Sequence, residues 1–296
     1  MKYIILIIEL IIIIILIIIF VIIQIFRRPT KYELELKIQK NIPYLLNYKN
    51  YSNNVCNVDI IKMKDFNNNN KIPKNIYVCY KNKNIPASVK ENYIKLNPGY
   101  NFNLYTNIDC IDFLKKEYGQ LHVDIFNYIK DGPIKADFWR VCILFKYGGI
   151  YCDVDIEMLV PFNDFVLGDI HFLTCTDGAD KALNPHIIIT EPKFYILKNC
   201  IDHYISMYTN RNTFKYEYWK WSIVHIMTHE LYYIFNTHIT TDGYYIGLDG
   251  NNYQIIKEIH NGNLKDTYCT YKNTIILNNR FKSYNPHTHN FLINKI

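Results

Sequence analysis

The stretch from Asp131 to Pro161 reads DGPIKADFWRVCILFKYGGIYCDVDIEMLVP, and its pattern decides the fold class. From Ile134 to Tyr147 the apolar residues Ile134, Phe138, Cys142 and Phe145 recur at three- and four-residue spacing, with Trp139, Val141 and Ile143 on the flanks. That period predicts a buried helix. Pro133 suits its first turn, where a missing N–H costs nothing, and Gly148-Gly149 can end it in a left-handed conformation. Ile150, Tyr151 and Cys152 then read as a short apolar strand running into Asp153-Val154-Asp155. Strand alternation would put Asp153 and Asp155 on one face and Val154 on the other. Two carboxylates so placed repel each other unless a cation lies between them. Hard oxygen ligands suit Mg²⁺ or Mn²⁺, which bind through one or two carboxylates plus the phosphates of a substrate. This is the pattern of a metal–diphosphate enzyme.

Asp137 and Arg140 lie three apart and so share a helix face; an intrahelical ion pair is the simplest role for them. A DxD pair alone is a weak signal, since many such pairs are solvated turn acids. The fixed order of acid–arginine helix, glycine stop, apolar strand and DxD is far more specific.

The segment resembles the DXD-containing sugar-transferase region of family 32 glycosyltransferases, the yeast initiating α-mannosyltransferases and their bacterial and viral relatives. It is more distantly similar to the glucosylating domains of clostridial toxins. The residues that carry the likeness are Ala136-Asp137-Phe138-Trp139-Arg140, Tyr147-Gly148-Gly149-Ile150-Tyr151 and Asp153-Val154-Asp155. Upstream, Lys71 to Tyr77, Ile85-Pro86 and Leu96-Asn97-Pro98-Gly99-Tyr100 resemble the family's opening strand and helix. The likeness covers about residues 72–162 and fades afterwards.

Ile4 to Phe26 is an almost unbroken apolar run, interrupted by Glu9 and Gln24. It is long enough to cross a hydrocarbon core of about 30 Å as a helix. Gln24-Ile25-Phe26-Arg27-Arg28 offers no small-residue cleavage site, so an uncleaved anchor is expected over residues 1–28 rather than a signal peptide. The resemblance implies a single-pass, Golgi- or ER-like enzyme facing the lumen. Arg27, Arg28 and Lys31 beyond the span pull mildly against that orientation. Residues 29–70 are polar, end in Asn67-Asn68-Asn69-Asn70, and read as a stem.

Residues 71–296 are enough for one α/β domain. A strand over 74–80, a helix over 87–96, a strand over 101–105 and helices over 108–117 and 121–130 precede the Asp131–Pro161 stretch. Strands alternating with helices imply a doubly wound, mostly parallel sheet, and the resemblance implies its GT-A-like form. In such sheets ligands bind beyond the carboxyl ends of the strands, where Tyr80 and Asp153 would both lie. Beyond Phe162, strands are expected over 171–175 and 186–190 and helices over 193–208 and 217–235. His225 and His229 in the last helix lack the H-E-x-x-H pattern and read as core or surface residues. The loop from Tyr284 to His289 gathers His287 and His289; it is either a solvated tail or a segment that touches the metal.

The chain of 296 residues carries a net charge of +6. That mild excess suits a nucleotide sugar or lipid headgroups, and no nucleic-acid-binding signature accompanies it. Eight cysteines are scattered without a CxxC, so neither zinc nor a disulfide framework follows from their spacing. Cys142 and Cys152 fall in apolar segments as buried thiols.

Together these features describe a membrane-anchored, metal-dependent glycosyltransferase that moves a hexose from a nucleotide-diphosphate sugar to a glycan, protein or lipid acceptor. Asp153 and Asp155 would hold Mn²⁺ or Mg²⁺ against the diphosphate. Asp137 would accept hydrogen bonds from ribose or sugar hydroxyls, and Arg140 would fix a donor hydroxyl or phosphate oxygen. By resemblance, Tyr80 stacks on the base, Tyr151 joins the nucleotide-sugar site, and the reaction retains configuration at the anomeric carbon; for Tyr80 a plain packing role is equally open. The alternative is a non-catalytic sugar-nucleotide-binding or scaffold protein of the same fold.

Overall fold

A computed structural model describes residues 72–177, 181–213, 215–260, 267–285 and 287–292. These residues all belong to the compact unit Asn69–Ile296. The apolar run 4–26 and the stem lie outside the described residues. Among the described residues no helix is long and apolar enough to cross a membrane.

The first half of the unit alternates as the sequence predicts. Strand β1 (Asn75–Cys79) leads to α1 (Ala87–Leu96), β2 (Asn101–Tyr105), α2 (Asn107–Tyr118), α3 (Gln120–Tyr128), α4 (Gly132–Tyr147) and β3 (Gly149–Cys152). β1 pairs in parallel with β2 and with β3. Thr106 starts α2 with a capping box: its hydroxyl accepts from the Asp109 amide, and the Asp109 carboxylate accepts from the Thr106 amide at 2.8 Å.

Alternation along the strands divides the core in two. Tyr77, Tyr151 and Ile188 face the layer formed by α2, α3, α4, α6 (Tyr195–Thr209) and α7 (Ile223–Phe235). Ile76, Val78, Ile150 and Cys152 face the opposite layer, with Val89 and Tyr93 of α1 and the short helix α5 (Phe162–Phe165). Helix α4 is buried on nearly every side, from Ile134 to Leu144. Truncating a side chain such as Phe138, fully buried at its centre, would cost about 3–5 kcal/mol.

Beyond β3 the parallel order gives way. β4 (Glu157–Met158), β5 (Phe172–Asp177), β6 (Ala182–Thr190), β7 (Gly243–Ile246), β8 (Asn252–His260), β9 (Thr267–Tyr271) and β10 (Thr274–Asn278) extend the sheet in the order β2-β1-β3-β6-β5-β8-β9-β10-β4, with β7 also on β8. Only β5 and β8 pair in parallel here; β3/β6, β5/β6, β7/β8, β8/β9, β9/β10 and β10/β4 are antiparallel. The expectation of a mostly parallel sheet therefore holds for β2-β1-β3, and the C-terminal half is mixed. Short hairpins force antiparallel pairing of β5/β6, β7/β8, β8/β9 and β9/β10, whereas β3/β6 and β10/β4 join strands that are not consecutive in the chain. Lys272 and Asn273 between β9 and β10 both have positive φ, as a tight primed turn requires. A small hairpin, β11 (Tyr284–Asn285) with β12 (Asn290–Phe291), follows.

The helix expected over 217–235 is broken. A 3-10 turn, Trp219–Trp221, precedes Ser222, whose hydroxyl accepts from the Val224 amide at 3.3 Å and starts α7 anew.

Candidate active site

The glycine pair sets the geometry. Gly148 (φ +61°) ends α4, its amide donating to the Leu144 carbonyl at 2.7 Å. Gly149 (φ +101°) begins β3 so close to β1 that a Cβ would lie 2.7 Å from the Asn75 carbonyl oxygen. Only glycine accepts both the conformation and the approach. The outcome is that β3 leaves α4 directly and lies beside β1.

Ladder pairing of β3 with β6 stops at Cys152, opposite Ile187. Asp153 keeps one further backbone bond, its amide donating to the His186 carbonyl at 2.8 Å, and the Ile156 amide then closes on the Asp153 carbonyl at 3.1 Å. Asp153-Val154-Asp155 is thus a turn at the carboxyl end of β3, not a continuation of the strand. The expected alternation of the two acids is replaced by turn geometry, because the chain must reverse here to reach β4. The Asp155 carbonyl is tied down by the Phe281 amide at 2.7 Å.

Asp153 is held from behind. Tyr151 is buried, and its hydroxyl donates to Asp153 Oδ1 at 2.6 Å. Arg140 Nη2 lies 3.0 Å from the same oxygen and 2.8 Å from Asp137 Oδ1. Arg140 Nη1 donates to the Pro185 carbonyl at 2.6 Å, and its guanidinium sits 4.3 Å from the centre of the Tyr151 ring. Asp137 Oδ2 accepts from the Ile223 amide at 3.0 Å, which links the start of α7 to the same network. Burial would pull the Arg140 guanidinium down, but Asp153, Tyr151 and Asp137 outweigh it and hold it well above its ordinary value. Burial pushes Asp137 up to about 6, against the pull of Arg140 and the Ile223 amide, so it stays ionised at neutral pH.

Asp137 and Arg140 therefore form the i,i+3 ion pair that their spacing allows, 6% and 4% exposed. Both they and Tyr151 stand beneath Asp153, and their polar atoms are directed at protein groups. Asp155 is different. It is pushed up to about 7, first by burial and then by the charge of Asp153, with the Arg280 guanidinium at 3.9 Å pulling it down. Two acids in one turn, one of them short of compensating charge, with hard oxygen donors, fit a divalent cation.

Tyr80 follows β1 at the same sheet edge as Asp153, since β1 and β3 are parallel neighbours. The C-terminal hairpin packs against it. The Tyr80 hydroxyl donates to the His289 carbonyl at 3.1 Å, its ring meets Phe291 edge-on at 5.8 Å, and Lys81 bonds Asn290 Oδ1. His287 and His289 are exposed on the hairpin; His289 Nδ1 lies 3.5 Å from the Tyr284 hydroxyl. Burial, and then the charges of Asp155 and Asp153, raise the Tyr284 phenol. Arg280 and Tyr284 were not singled out from the sequence. No motif marks them; the pairing of β10 with β4 and the Phe281 amide bond to the Asp155 carbonyl bring Arg280 to the turn. His225 and His229 join no group of ligating side chains among the described residues.

Comparisons with known proteins fall on the same segment of the chain. The family described as "Glycosyltransferase sugar-binding region containing DXD motif" matches residues 79–169. Mannosyl phosphorylinositol ceramide synthase of Saccharomyces cerevisiae is 36% identical over 104 residues, 32% of this chain and 27% of that protein. The initiation-specific alpha-1,6-mannosyltransferase of the same yeast is 31% identical over 105 residues, 32% of this chain and 22% of that one. An uncharacterized glycosyltransferase of Acanthamoeba polyphaga mimivirus is 32% identical over 85 residues, 28% of this chain and 34% of its own length. The chain thus spans between about a fifth and a third of the length of these relatives. The solved structure of the PaToxG glycosyltransferase superposes with a TM-score of 0.44 at 20% identity, over 55% of this chain and 69% of that one. Residues 79–169 thus match the DXD-containing glycosyltransferase sugar-binding region, the segment over which the sequence shows its resemblance.

Proposed function

We propose that this protein is a divalent-metal-dependent hexosyltransferase that uses a nucleotide-diphosphate sugar, with mannose as the first sugar to try. The observation that carries the reading is the Asp153–Asp155 turn at the carboxyl end of β3, its first acid pinned by Tyr151 and Arg140 inside the region that matches the DXD family. Two of the relatives are named for transfer of mannose or assembly of a mannosyl lipid, which supports a glycan or glycolipid acceptor.

In this reading Asp153 and Asp155 present oxygen ligands toward the donor diphosphate. A bound Mn²⁺ or Mg²⁺ offsets the charge that develops on the leaving diphosphate. Tyr151 and Arg140 fix the Asp153 carboxylate in one orientation, so no reorganisation is needed when that charge appears. Asp137 keeps Arg140 in place. Tyr80 offers a ring at the sheet edge where the base would lie, and the Arg280 guanidinium beside Asp155 suits a phosphate oxygen. Retention at the anomeric carbon is part of the proposal through the family resemblance alone. Residues 4–26 would anchor the enzyme in a bilayer, with the catalytic unit facing the lumen.

The test is turnover of a panel of UDP- and GDP-sugars by the full chain with Mn²⁺, read as release of the nucleoside diphosphate and, with added mannosides or inositol phosphoceramide, as transfer product. Release from one donor, stopped by EDTA, supports the transferase. A folded protein that binds a sugar nucleotide yet releases nothing from any donor is instead a binding module.

A further inference from the structure

A second group of ligating side chains lies behind the acidic turn. Cys175 on β5, His186 on β6 and Cys269 on β9 are all buried, and their ligand atoms lie within 4.8 Å of one another. The Cys175 and Cys269 sulfurs are 3.4 Å apart, and Cys269 Sγ is 3.4 Å from His186 Nε2. In a tetrahedral zinc site with Zn–S about 2.3 Å and Zn–N about 2.0–2.1 Å, the S···S edge is about 3.8 Å and the S···N edge about 3.5 Å. Two edges of the triangle therefore stand close to those of one face of such a tetrahedron, and the third, from Cys175 to His186, is within 4.8 Å.

A disulfide is the competing use of two neighbouring thiols, and the topology argues against it. Cys175 and Cys269 are on strands that flank β8 from opposite sides. Cα atoms on strands two steps apart in a sheet are normally more widely separated than the roughly 4.4–6.8 Å that a disulfide allows. Metal bonds tolerate the wider spacing, because the ion sits between the side chains.

The surroundings are those of a metal site. Asn279 Oδ1 lies 3.3 Å from Cys269 Sγ, and the Asn279 amide nitrogen bonds Glu258, which also accepts from Asn184 at 2.7 Å. Buried carboxylate and amide groups of this kind orient ligands from the outer shell. His186 presents Nε2 to Cys269 Sγ, while its Nδ1 is buried without a protein partner and would stay the N–H nitrogen of a ligating imidazole. Chemically the two sites separate: Asp153 and Asp155 are hard oxygen donors, whereas two thiolates and an imidazole select a softer ion.

We propose that Cys175, His186 and Cys269 form a structural zinc site distinct from the site at the acidic turn. Binding would proceed with loss of the two thiol protons, and the fourth position would be taken by Asn279 Oδ1 or water. The ion would tie β5, β6 and β9 together across β8. Because the His186 carbonyl accepts the Asp153 amide at 2.8 Å, it would also brace the strand on which the acidic turn rests.

The test is the metal content of the full chain, purified without chelators, loaded with Zn²⁺ and desalted, then measured by plasma mass spectrometry. One zinc per chain is expected in the wild type and in Asp155→Asn, and none in Cys269→Ser or Cys175→Ser. Substitution by Co²⁺ should give the thiolate-to-metal charge-transfer band of a tetrahedral site, absent in Cys269→Ser and weakened or shifted in His186→Gln. If the serine variants do not fold, the wild-type metal content and Co²⁺ spectrum decide alone. A folded wild type that retains no zinc and shows no thiolate band overturns the proposal. So does a Cys175–Cys269 disulfide found by non-reducing peptide mapping.

Discussion

Replacing Arg140 by methionine removes the charge beneath the acidic turn while keeping most of the stem volume. Its effect should be large. Asp137 is 6% exposed, and it would lose a partner at 2.8 Å; breaking a buried pair by removing one member costs about 3–5 kcal/mol. The Pro185 carbonyl loses its donor as well. The Asp153 arm adds little, because its carboxylate is about one-third exposed and exposed pairs contribute about 1 kcal/mol or less. The sum is about 4 kcal/mol, a fall in Tm of about 8–16 °C at the roughly 2–4 °C per kcal/mol of domains this size. Adding Asp137→Asn removes the stranded charge, so the double variant should be more stable than the two single losses predict, by about 1–3 kcal/mol. Urea and thermal unfolding of the four proteins in the cycle measure this. A loss below about 1 kcal/mol in Arg140→Met, or additive losses in the cycle, would refute the idea that α4 carries a buried charge network rather than a solvated ion pair.

Two further outcomes follow from other parts of the structure. Gly149→Ala places a Cβ 2.7 Å from the Asn75 carbonyl at a positive φ, so β1 and β3 must part; a loss of about 2–4 kcal/mol is expected in chemical denaturation, and wild-type stability would contradict it. Burial and then the charge of His229 push His203 down to about 4. The unfolded chain, with an ordinary value near 6.5, binds a proton before the folded one does. Stability is therefore full above about pH 6.5 and falls as the pH drops toward 4, by about 1–3 kcal/mol given partial solvent access, and His203→Gln should flatten that part of the profile.

The N-terminal half was legible because local signals agree with the fold. α1 and β2 have the bounds that the apolar pattern predicts, and Pro133 and Gly148 mark the ends of α4 where their backbone preferences place them. The pairing of β1 with β3 follows from that alternation, and with it the common edge of Tyr80 and Asp153. In the C-terminal half the strands expected over 171–175 and 186–190 and the helix over 193–208 appear as β5, β6 and α6, but the later strands show no such period. β7 (GYYI) and β9 (TYCTY) mix tyrosine with small and polar residues, so no apolar alternation announces them. Ser222 broke a continuous apolar run by capping, a local choice that competes with helix propagation. The Arg140 network was legible as a pair only. That its donors reach Asp153 and Pro185, and that the Asp137 carboxylate receives the start of α7, depends on packing between segments up to 86 residues apart. Cys175 and Cys269 are 94 residues apart and meet across β8, which no spacing rule could show.

The central claim is that Asp153 and Asp155 form a divalent-metal site for a nucleoside diphosphate. Titration calorimetry of UDP and GDP into the protein, with Mn²⁺ and then with EDTA, tests it directly in the wild type and in Asp155→Asn. The account predicts one metal-dependent nucleotide site, lost in a variant whose Tm stays within about 1 kcal/mol equivalent of wild type, since Asp155→Asn removes repulsion rather than packing. Binding that survives EDTA and is unchanged in Asp155→Asn would contradict it.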